Sequence, residues 1–538
     1  MAADAQVADY VIVGAGSAGC VLANRLSADP RNNVILIEAG GKDRSPWIHI
    51  PAGFFFTSFD EKLNWNYQTE PCESAAGRTL AWRRGKGLGG SSLINGMMYI
   101  RGQREDFEHW RQLGNTGWGF DDVLPYFRKS EGNVRGADAL HGGDGPLKVS
   151  DTIFTHEMDR AFIDACTSLG FPHNPDFNGL SQEGAGQYQF TIGGRWRSST
   201  SAAYLRPALK RPNLQVISGA AVTRLLFEGK RAIGVEFRRS GRTEIVRAAA
   251  EVLLSAGAIA SPQVLQLSGV GPGAVVQSLG VDLVCDAAAV GENMVDHLGL
   301  RLVSRCEADV QTANELSRSL WLKGRAVLDF CVRGRGWLMS GPTGSGLFAR
   351  TQPGSASPDV QYMFMPGSTP MTTTARAVDY PACTLLAIPC RPESRGWIRA
   401  TSPDAAVPPA IQPNYLEAAA DQRVAVSAIE LARQIFATPQ MKPYAREEEV
   451  PGRAVRSQDE LLAYARGNCI STHHATGTCA MGPQPSAVVD TDLKVRGVEG
   501  LRVVDASVMP SIMSGNTNAT VIMIAEKISD TILAGARA

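Results

Sequence analysis

The segment Thr472-His473-His474-Ala475-Thr476-Gly477-Thr478-Cys479 sets two adjacent imidazoles ahead of a small-residue turn. Asn516 and Asn518 stand just before an apolar helical pattern of Val521, Ala525, Ile528 and Ile532. Drawing hydride from an alcohol carbon needs a base for the hydroxyl proton and a donor that steadies the oxygen. Imidazole titrates in the right range to be that base. An asparagine amide cannot take the proton, but it can donate a hydrogen bond to the oxygen. The helix N-terminus stabilises negative charge close to it. A structural or surface role is the plain alternative for any one of the eight histidines. Adjacent histidines also suggest a metal, yet no third and fourth ligands stand at usable spacing, and no metal is expected.

Two glycine-rich segments could hold a second reactant. Val11-Ile12-Val13-Gly14-Ala15-Gly16-Ser17-Ala18-Gly19 runs from an apolar strand pattern into a glycine-spaced turn, and Glu38 stands 19 residues beyond Gly19, at the end of Val34-Ile35-Leu36-Ile37. The first glycine allows a tight turn, the second lets the backbone approach a pyrophosphate, and the third lets the next helix pack close to its strand. Helix N-terminal amides then face the phosphates. A carboxylate at Glu38 can accept from both ribose hydroxyls and would repel a 2'-phosphate. This spacing predicts a bound dinucleotide and leaves FAD and NAD both open. Arg83-Arg84-Gly85-Lys86-Gly87-Leu88-Gly89-Gly90-Ser91-Ser92-Leu93-Ile94-Asn95-Gly96 is a second anion-binding candidate, because its small residues expose backbone donors. A solvated turn is the alternative there.

The elements that must position these groups follow from periodicity. Val11 to Glu38 reads as a βαβ unit. Between Gly40 and Asn66, Trp47, His49, Pro51, Phe54, Phe55, Phe56 and Trp65 form either a satellite core or a cover over a ligand. Trp110 to Ser130 alternates helix-like and turn-like stretches, with Pro125 near a helix start. Phe154, Met158, Phe162, Ala165 and Leu169 predict an amphipathic helix. Short strands over 214–254 return to the nucleotide-binding part. The strand ending at Ser255 breaks into Gly257-Ala258-Ile259-Ala260-Ser261-Pro262, again placing small residues at the ligand edge of an open sheet. Strand candidates at Val360–Phe364, Thr384–Ile388 and Gly396–Arg399, with a helix over 421–436, predict an antiparallel sheet with flanking helices. The Met- and Thr-rich loop 366–374 suits an apolar pocket lining. Leu501-Arg502-Val503-Val504-Asp505 reads as one more sheet strand, its terminal acid placed to cap a helix or to bind nucleotide hydroxyl or phosphate-linker groups.

Composition narrows the class. At 538 residues the chain can bury a large core or two domains. Its 53 basic and 53 acidic residues cancel, with no basic tail or stripe for nucleic acid. Ten scattered cysteines match neither a disulfide scaffold nor a paired metal pattern and fit a reducing compartment. The N-terminus lacks the basic start and apolar stretch of a signal peptide, so a cytoplasmic location is expected. The apolar runs Val252–Leu254 and Val521–Ile524 are far short of a membrane span. Composition leaves the oligomeric state open.

Four ordered motifs together resemble the glucose-methanol-choline (GMC) oxidoreductase family over nearly the whole chain. They are Val11–Gly19, Gly85–Asn95, Gly257–Gly271, and the pair His474–Gly482 with Ser514–Ala519. The resemblance implies an α/β fold with a Rossmann-like FAD-binding domain and a second, α+β substrate domain built on an antiparallel sheet. The FAD-binding domain would comprise residues 1–155, 196–305 and 471–538, and the substrate domain residues 156–195 and 306–470. It resolves the dinucleotide to FAD. His474 is then the catalytic histidine and Asn516 the second active-site position. The implied cofactor contacts are Gly14, Gly16, Ser17, Ala18, Gly19, Glu38 and Ala39 in the first motif, and Arg84, Gly85, Gly89, Gly90, Ser91, Asn95, Gly96 and Met97 in the second. Val222, Ala256, Gly257, Asp505, Ala506, Asn516, Thr517 and Asn518 complete them.

Some members attach FAD through a histidine in the second motif. Ile94 occupies that position here, so non-covalent FAD is implied. The pattern is closest to bacterial choline, aliphatic-alcohol and sorbose-type dehydrogenases, with 174–179 and 182–186 most like the sorbose type. The implied reaction is ping-pong oxidation of a primary or secondary alcohol, or a polyol or sugar, to an aldehyde or ketone, with hydride going to flavin N5. A quinone or other carrier is the implied acceptor, and an oxidase reducing oxygen to hydrogen peroxide is the alternative. A lyase using the same fold without net redox, or a flavin-binding protein without catalysis, fits the motifs less well. Some relatives attach peripherally to membranes, which here would mean the inner membrane, though no segment of this sequence requires it.

Overall fold

The computed structural model describes residues 6–307, 309–368 and 378–535. The first sheet grows from the βαβ unit read in the sequence: β1 (Gln6–Val13), α1 (Ser17–Leu26) and β2 (Val34–Glu38). All five residues of β2 are buried, as a parallel strand covered on both faces requires. The chain then crosses to a second sheet, to which it contributes β3 (Gly184–Gln187), and returns with β4 (Leu214–Ser218), β5 (Ala220–Glu228), β6 (Arg231–Arg239) and β7 (Arg242–Leu254). The order is β4-β2-β1-β7-β6-β5, parallel from β4 to β7 and antiparallel thereafter. The long β7 serves both halves: Arg242–Arg247 pairs with β6, while its apolar end, Val252 to Leu254, lies beside Val11 to Val13. Helix α2 (Gly257–Gln266) follows it.

The second sheet is antiparallel, as expected, and is built from β8 (Leu298–Arg305), β9 (Ser345–Ala349), β10 (Val360–Met365), β11 (Ala382–Pro389) and β12 (Glu447–Val450) with β3. Its order is β12-β8-β11-β10-β9-β3, and Ile470–Ser471 pairs with the start of β8. Helix α3 (Ala419–Phe436) packs on it through an apolar stripe that includes Ala425, Ile429 and Ala432. Strand β8 therefore belongs to the second sheet, and the crossover precedes Leu298 instead of falling at 305/306. Its eight-residue run is buried to the penultimate position, which a composition-based boundary cannot tell from a strand of the first sheet. Trp397–Arg399 pairs with Ala410–Gln412, in a hairpin outside the main sheet. Of the loop expected to line an apolar pocket, 369–374 lies outside the described residues.

The last segment returns to the first sheet. β13 (Leu501–Val503) pairs in parallel with the end of β7, and α4 (Asn518–Gly535) packs against α1. Arg25 of α1 pairs with the fully buried Glu526 of α4 at 2.6 Å. Separate apolar cores lie against the two sheets, and a smaller cluster containing Met97, Met98, Phe190, Leu386 and Cys390 combines residues from the glycine-rich segment and the second sheet. The aromatic residues after Gly40 divide: Phe54 packs on this third cluster, whereas Trp47 and Phe56 contact each other at an exposed position.

Candidate active site

The first glycine turn is shaped by backbone contacts. Gly14 has φ +95°, and a Cβ there would lie 2.6 Å from the Ser255 carbonyl. A Cβ on Gly19 would fall 1.9 Å from the Gly14 carbonyl, so any larger residue would push α1 off β1. Gly16 is different. The nearest atom to a Cβ there is 3.9 Å away, so its side is open, as close approach of a ligand requires. The second glycine segment packs directly onto the first. Gly89 N–H donates to the Ala15 carbonyl at 2.7 Å, and a Cβ on Gly90 would sit 2.6 Å from Gly16 Cα. The third contributor is the start of α4, where Asn518 Oδ1 accepts from Ser17 Oγ at 2.7 Å. Two helix N-termini and a glycine turn thus converge, giving the donors and room that a pyrophosphate-bridged dinucleotide needs.

The remaining expected contacts are arranged around this cradle. Glu38 is buried at the end of β2 and accepts from Ala15 N at 2.8 Å and Gly40 N at 2.7 Å, one bond per oxygen, which leaves capacity for ligand hydroxyls. Burial raises its pKa despite these bonds. Ala39 follows it, half-buried, and the Ala18 side chain points into the core, so only its backbone is available to a ligand. Val222 is half-buried on β5, which runs against β2. Gly85 abuts Gly90, Ser91 Oγ accepts from Gly85 N at 3.1 Å, and Gly96 packs against Pro342. Asn95 Oδ1 accepts from Arg197 Nη1 at 2.7 Å and from Met97 N at 3.2 Å, pinning Met97 at a φ of +63°. Ile94 is buried with Ile48 and Leu93 and offers no nucleophile. Gly257, with φ +88°, opens α2 toward space free of protein atoms, next to Ala256.

Two expected ligand contacts have internal work instead. Asp505 accepts from Gly257 N, Ser261 Oγ, Ser507 N and Ser507 Oγ. Four bonds exhaust a carboxylate, so its side chain ties β13 to α2 and caps the turn 506–508, beginning at Ala506, and has no lone pair left for a nucleotide. Arg84 is half-buried and donates to the His473 carbonyl, so it holds the histidine loop.

That loop carries the reactive pair. His473 has φ +65°, its Nδ1 accepts from Arg83 N at 3.3 Å, and burial beside Arg84 and Arg83 pushes its pKa down to about 3. His474 N donates to Asp296 Oδ1 at 2.6 Å, and Asp296 Oδ2 accepts from Ser471 Oγ and Tyr415 OH. The His474 ring lies between two partners, with Nδ1 3.1 Å from His297 Nδ1 and Nε2 3.2 Å from Asn516 Nδ2.

The hydrogen-bond chain assigns the tautomer. His297 Nε2 lies 2.8 Å from the Cys390 carbonyl, which can only accept, so Nε2 carries the proton. Burial lowers the pKa of His297, leaving its Nδ1 as a lone pair. His474 Nδ1 must therefore donate to it. Thr472 Oγ1, which gives its own proton to the His297 carbonyl, is a second acceptor at 3.1 Å. Nε2 of His474 is consequently unprotonated and faces the Asn516 amide. Burial and the neighbouring His297 and Arg84 hold the His474 pKa well below 6.5, so the ring is neutral near pH 7. Asn516 Oδ1 is buried without a partner, an unmet acceptor at the reactive position.

Asp296, His297 and Arg197 are the side chains of this site that motif reading passed over. The one sequence signal was a lone Asp-His pair at the head of the apolar run 298–303.

The model of GMC oxidoreductases matches residues 8–299 with its N-terminal part and 392–525 with its C-terminal part. The chain is 42% identical to choline dehydrogenase, mitochondrial, of Homo sapiens, covering 97% of this chain and 89% of that one. It is also 42% identical to alcohol dehydrogenase [acceptor] of Pseudomonas putida, covering 98% and 95%. A solved structure of an Aspergillus oryzae formate oxidase variant, studied for modification of its FAD, superposes with a TM-score of 0.91 at 25% identity over the full length of both chains. With two matched parts spanning most of its length and relatives above 40% identity, this chain belongs to the GMC oxidoreductase family.

Proposed function

We propose that this protein is an FAD-dependent dehydrogenase of uncharged alcohols, in which His474 takes the hydroxyl proton and the electrons leave to a quinone or another carrier that is not oxygen. The observation that carries this reading is the bare Nε2 of His474, held 3.2 Å from the Asn516 amide beside an unpartnered Asn516 Oδ1. A substrate hydroxyl inserted there donates to Nε2 and accepts from Asn516 Nδ2, so the proton and the oxygen each have a protein partner. FAD, when bound, supplies the hydride acceptor. Gly14, Gly16, Ser17, Gly19, Gly89 and Gly90 would hold its pyrophosphate, Glu38 its adenosine ribose, and the start of α4 the electron-rich edge of its ring. With Ile94 at the attachment position, the cofactor is non-covalent.

The positive charge of Arg84, which bears on His474, favours a neutral substrate over a cationic one. The relative named alcohol dehydrogenase [acceptor] supports an acceptor other than oxygen, whereas relatives named oxygen-dependent choline dehydrogenase, 39–41% identical, support the oxidase alternative.

An anaerobic flavin-bleaching screen with a primary alcohol, a secondary alcohol, a polyol and choline tests the substrate. Bleaching by neutral alcohols is expected, and bleaching by choline alone overturns that part. Reoxidation of the reduced enzyme is expected to be fast with a soluble quinone analogue, and rapid reoxidation by oxygen overturns the acceptor assignment.

A further inference from the structure

The helix Arg104–Gln112 opens on a reciprocal cap, in which Gln103 N donates to Asp106 Oδ2 at 2.8 Å. A cap asks nothing more of this side chain. Asp106 is nevertheless only 3% exposed and accepts three further bonds, all from residues outside its own helix. Ser514 N donates to Oδ2 at 2.8 Å, Ser514 Oγ to Oδ1 at 2.9 Å, and Arg391 Nε to Oδ1 at 3.1 Å. Ser514 lies 408 positions along the chain and two residues before Asn516. Burying a carboxylate is costly, and hydrogen bonds to an ionised acceptor are about twice as strong as those to a neutral one. The bonds beyond the cap therefore clamp the approach to Asn516.

The same helix grips that approach a second time. The fully buried Trp110 places its Nε1 3.1 Å from both the Ser511 carbonyl and Ser511 Oγ. From the other side Gln182 Nε2 donates to the Ser514 carbonyl at 3.1 Å. Gly515 follows with φ +130°, and a Cβ there would collide with Ile100 Cγ2, so the turn already sits flush against Ile100. Ser514 thus has its N–H, hydroxyl and carbonyl all engaged. Asn516, with Nδ2 3.2 Å from His474 Nε2, is the first side chain beyond it. The other oxygen of Asp106 leads to the opposite side of the same imidazole: Arg391 adjoins Cys390, whose carbonyl accepts the His297 proton.

We propose that Asp106 is a positioning residue for the oxidation: through Ser514 it fixes the Asn516 amide that holds the substrate oxygen. Its own carboxylate is enclosed by four donors and acts only through them. Arg391 balances its charge. Misplacing a catalytic group by about 1 Å from a distance costs on the order of 10²-fold in rate, so the clamp has a measurable consequence. The inference rests on the assignment of Asn516 as the donor to the substrate oxygen.

Anaerobic flavin reduction in the flavin-loaded parent, Asp106→Asn, Asn516→Ala and the double variant tests this as a cycle. Asp106→Asn keeps the size of the side chain but turns amide hydrogens toward donors that need an acceptor. In the parent it should slow reduction at saturating alcohol by roughly ten- to a hundredfold. In the Asn516→Ala background it should cost less than about threefold, because the group it positions is gone. The loss should fall on the limiting rate, with the half-saturating alcohol concentration changed by less than about twofold, the mark of an interaction made in the transition state. Ser514→Ala leaves the carboxylate and its charge in place; it should slow the parent by about threefold, the worth of one hydrogen bond, and the Asn516→Ala variant not at all. A parental rate in Asp106→Asn, a loss confined to half-saturation, or equal losses in both backgrounds overturns the proposal. Where Asp106→Asn fails to retain flavin, Ser514→Ala decides by the same comparison, and equal losses in both backgrounds again overturn it. Failure of the underlying assignment looks different: Asn516→Ala alone then reduces its flavin at the parental rate, which removes this proposal with it.

Discussion

The two ends of the candidate site are made in opposite ways. The nucleotide end, around Gly14 to Gly19 and Gly89 to Gly90, is backbone, and its specificity lies in side chains that are absent: a Cβ at Gly19 or Gly90 would strike main-chain atoms 1.9 and 2.6 Å away. The reactive end is side chain throughout. His474 is set by Asp296, His297, Thr472 and Asn516, drawn from three separate stretches of the chain. A backbone site fails by steric exclusion, all or none. A side-chain site fails by degrees, because each neighbour controls one property of the base.

That contrast can be broken most sharply at His474. His474→Ala should retain bound flavin yet lower the rate of anaerobic flavin reduction by about 10²- to 10⁴-fold, the usual contribution of a positioned base. Near-parental reduction would remove the base from the scheme. Gly19→Val should do the reverse: flavin absorbance per protein should be lost, because the branched side chain meets the Gly14 carbonyl. Full flavin content in that variant would show that the cradle yields more readily than its contacts imply. Asn516→Ala removes one donor to the substrate oxygen and should cost on the order of 10²-fold in the reductive rate with little change in flavin content.

A smaller effect separates holding from reacting. His297→Phe removes the acceptor that keeps the proton on His474 Nδ1, leaving only Thr472 Oγ1, and should slow reduction roughly tenfold while moving the acid limb of kcat/KM. In the parent enzyme that limb must lie below pH 6.5. The folded-state pKa of His474 is depressed, so the base stays unprotonated until the pH falls well under its ordinary value. The same sign applies to stability. His473 and His474 are half-buried and held neutral by desolvation, the unfolded chain begins to bind their protons near pH 6.5, and stability should decline from there toward the His473 value of about 3. Thermal melts of the flavin-loaded protein across that window check it. A His297→Phe profile identical to the parent's would make His297 a packing residue only.

The legible part of this molecule is the part encoded locally. Gly14, Gly16 and Gly19 dictate backbone shape within one turn, and β1, β2 and α1 fall where periodicity puts them. His474 and Asn516 are visible through their motifs, but the reason His474 is a base is not. It depends on His297, whose own proton is fixed by the carbonyl of Cys390, 93 positions away. No spacing rule relates those two residues, because they meet through the end of β11. Asp505 shows the converse. An acid at a strand end reads as open to a ligand, and packing fills its four acceptor positions with Gly257, Ser261 and Ser507. Strand β8 falls on the wrong side of the expected boundary for a related reason, since an apolar strand carries no label for the sheet that will take it.

The bond from Ser17 to Asn518 spans 501 positions, as does the Arg25–Glu526 pair. A chain emerging from the ribosome presents the start of α4 about 500 residues after the start of α1, a delay of roughly 25–100 seconds at about 5–20 residues per second. Until then Ser17 lacks its Asn518 partner, the apolar flank that α4 covers is bare, and the Asn516 amide is not there to face His474. Contacts of such sequence separation carry a large loop-closure cost and form late. The reactive pair therefore requires Asn516 and α4 to have been made, and a chain cut before them is left without it, however far its first sheet has assembled.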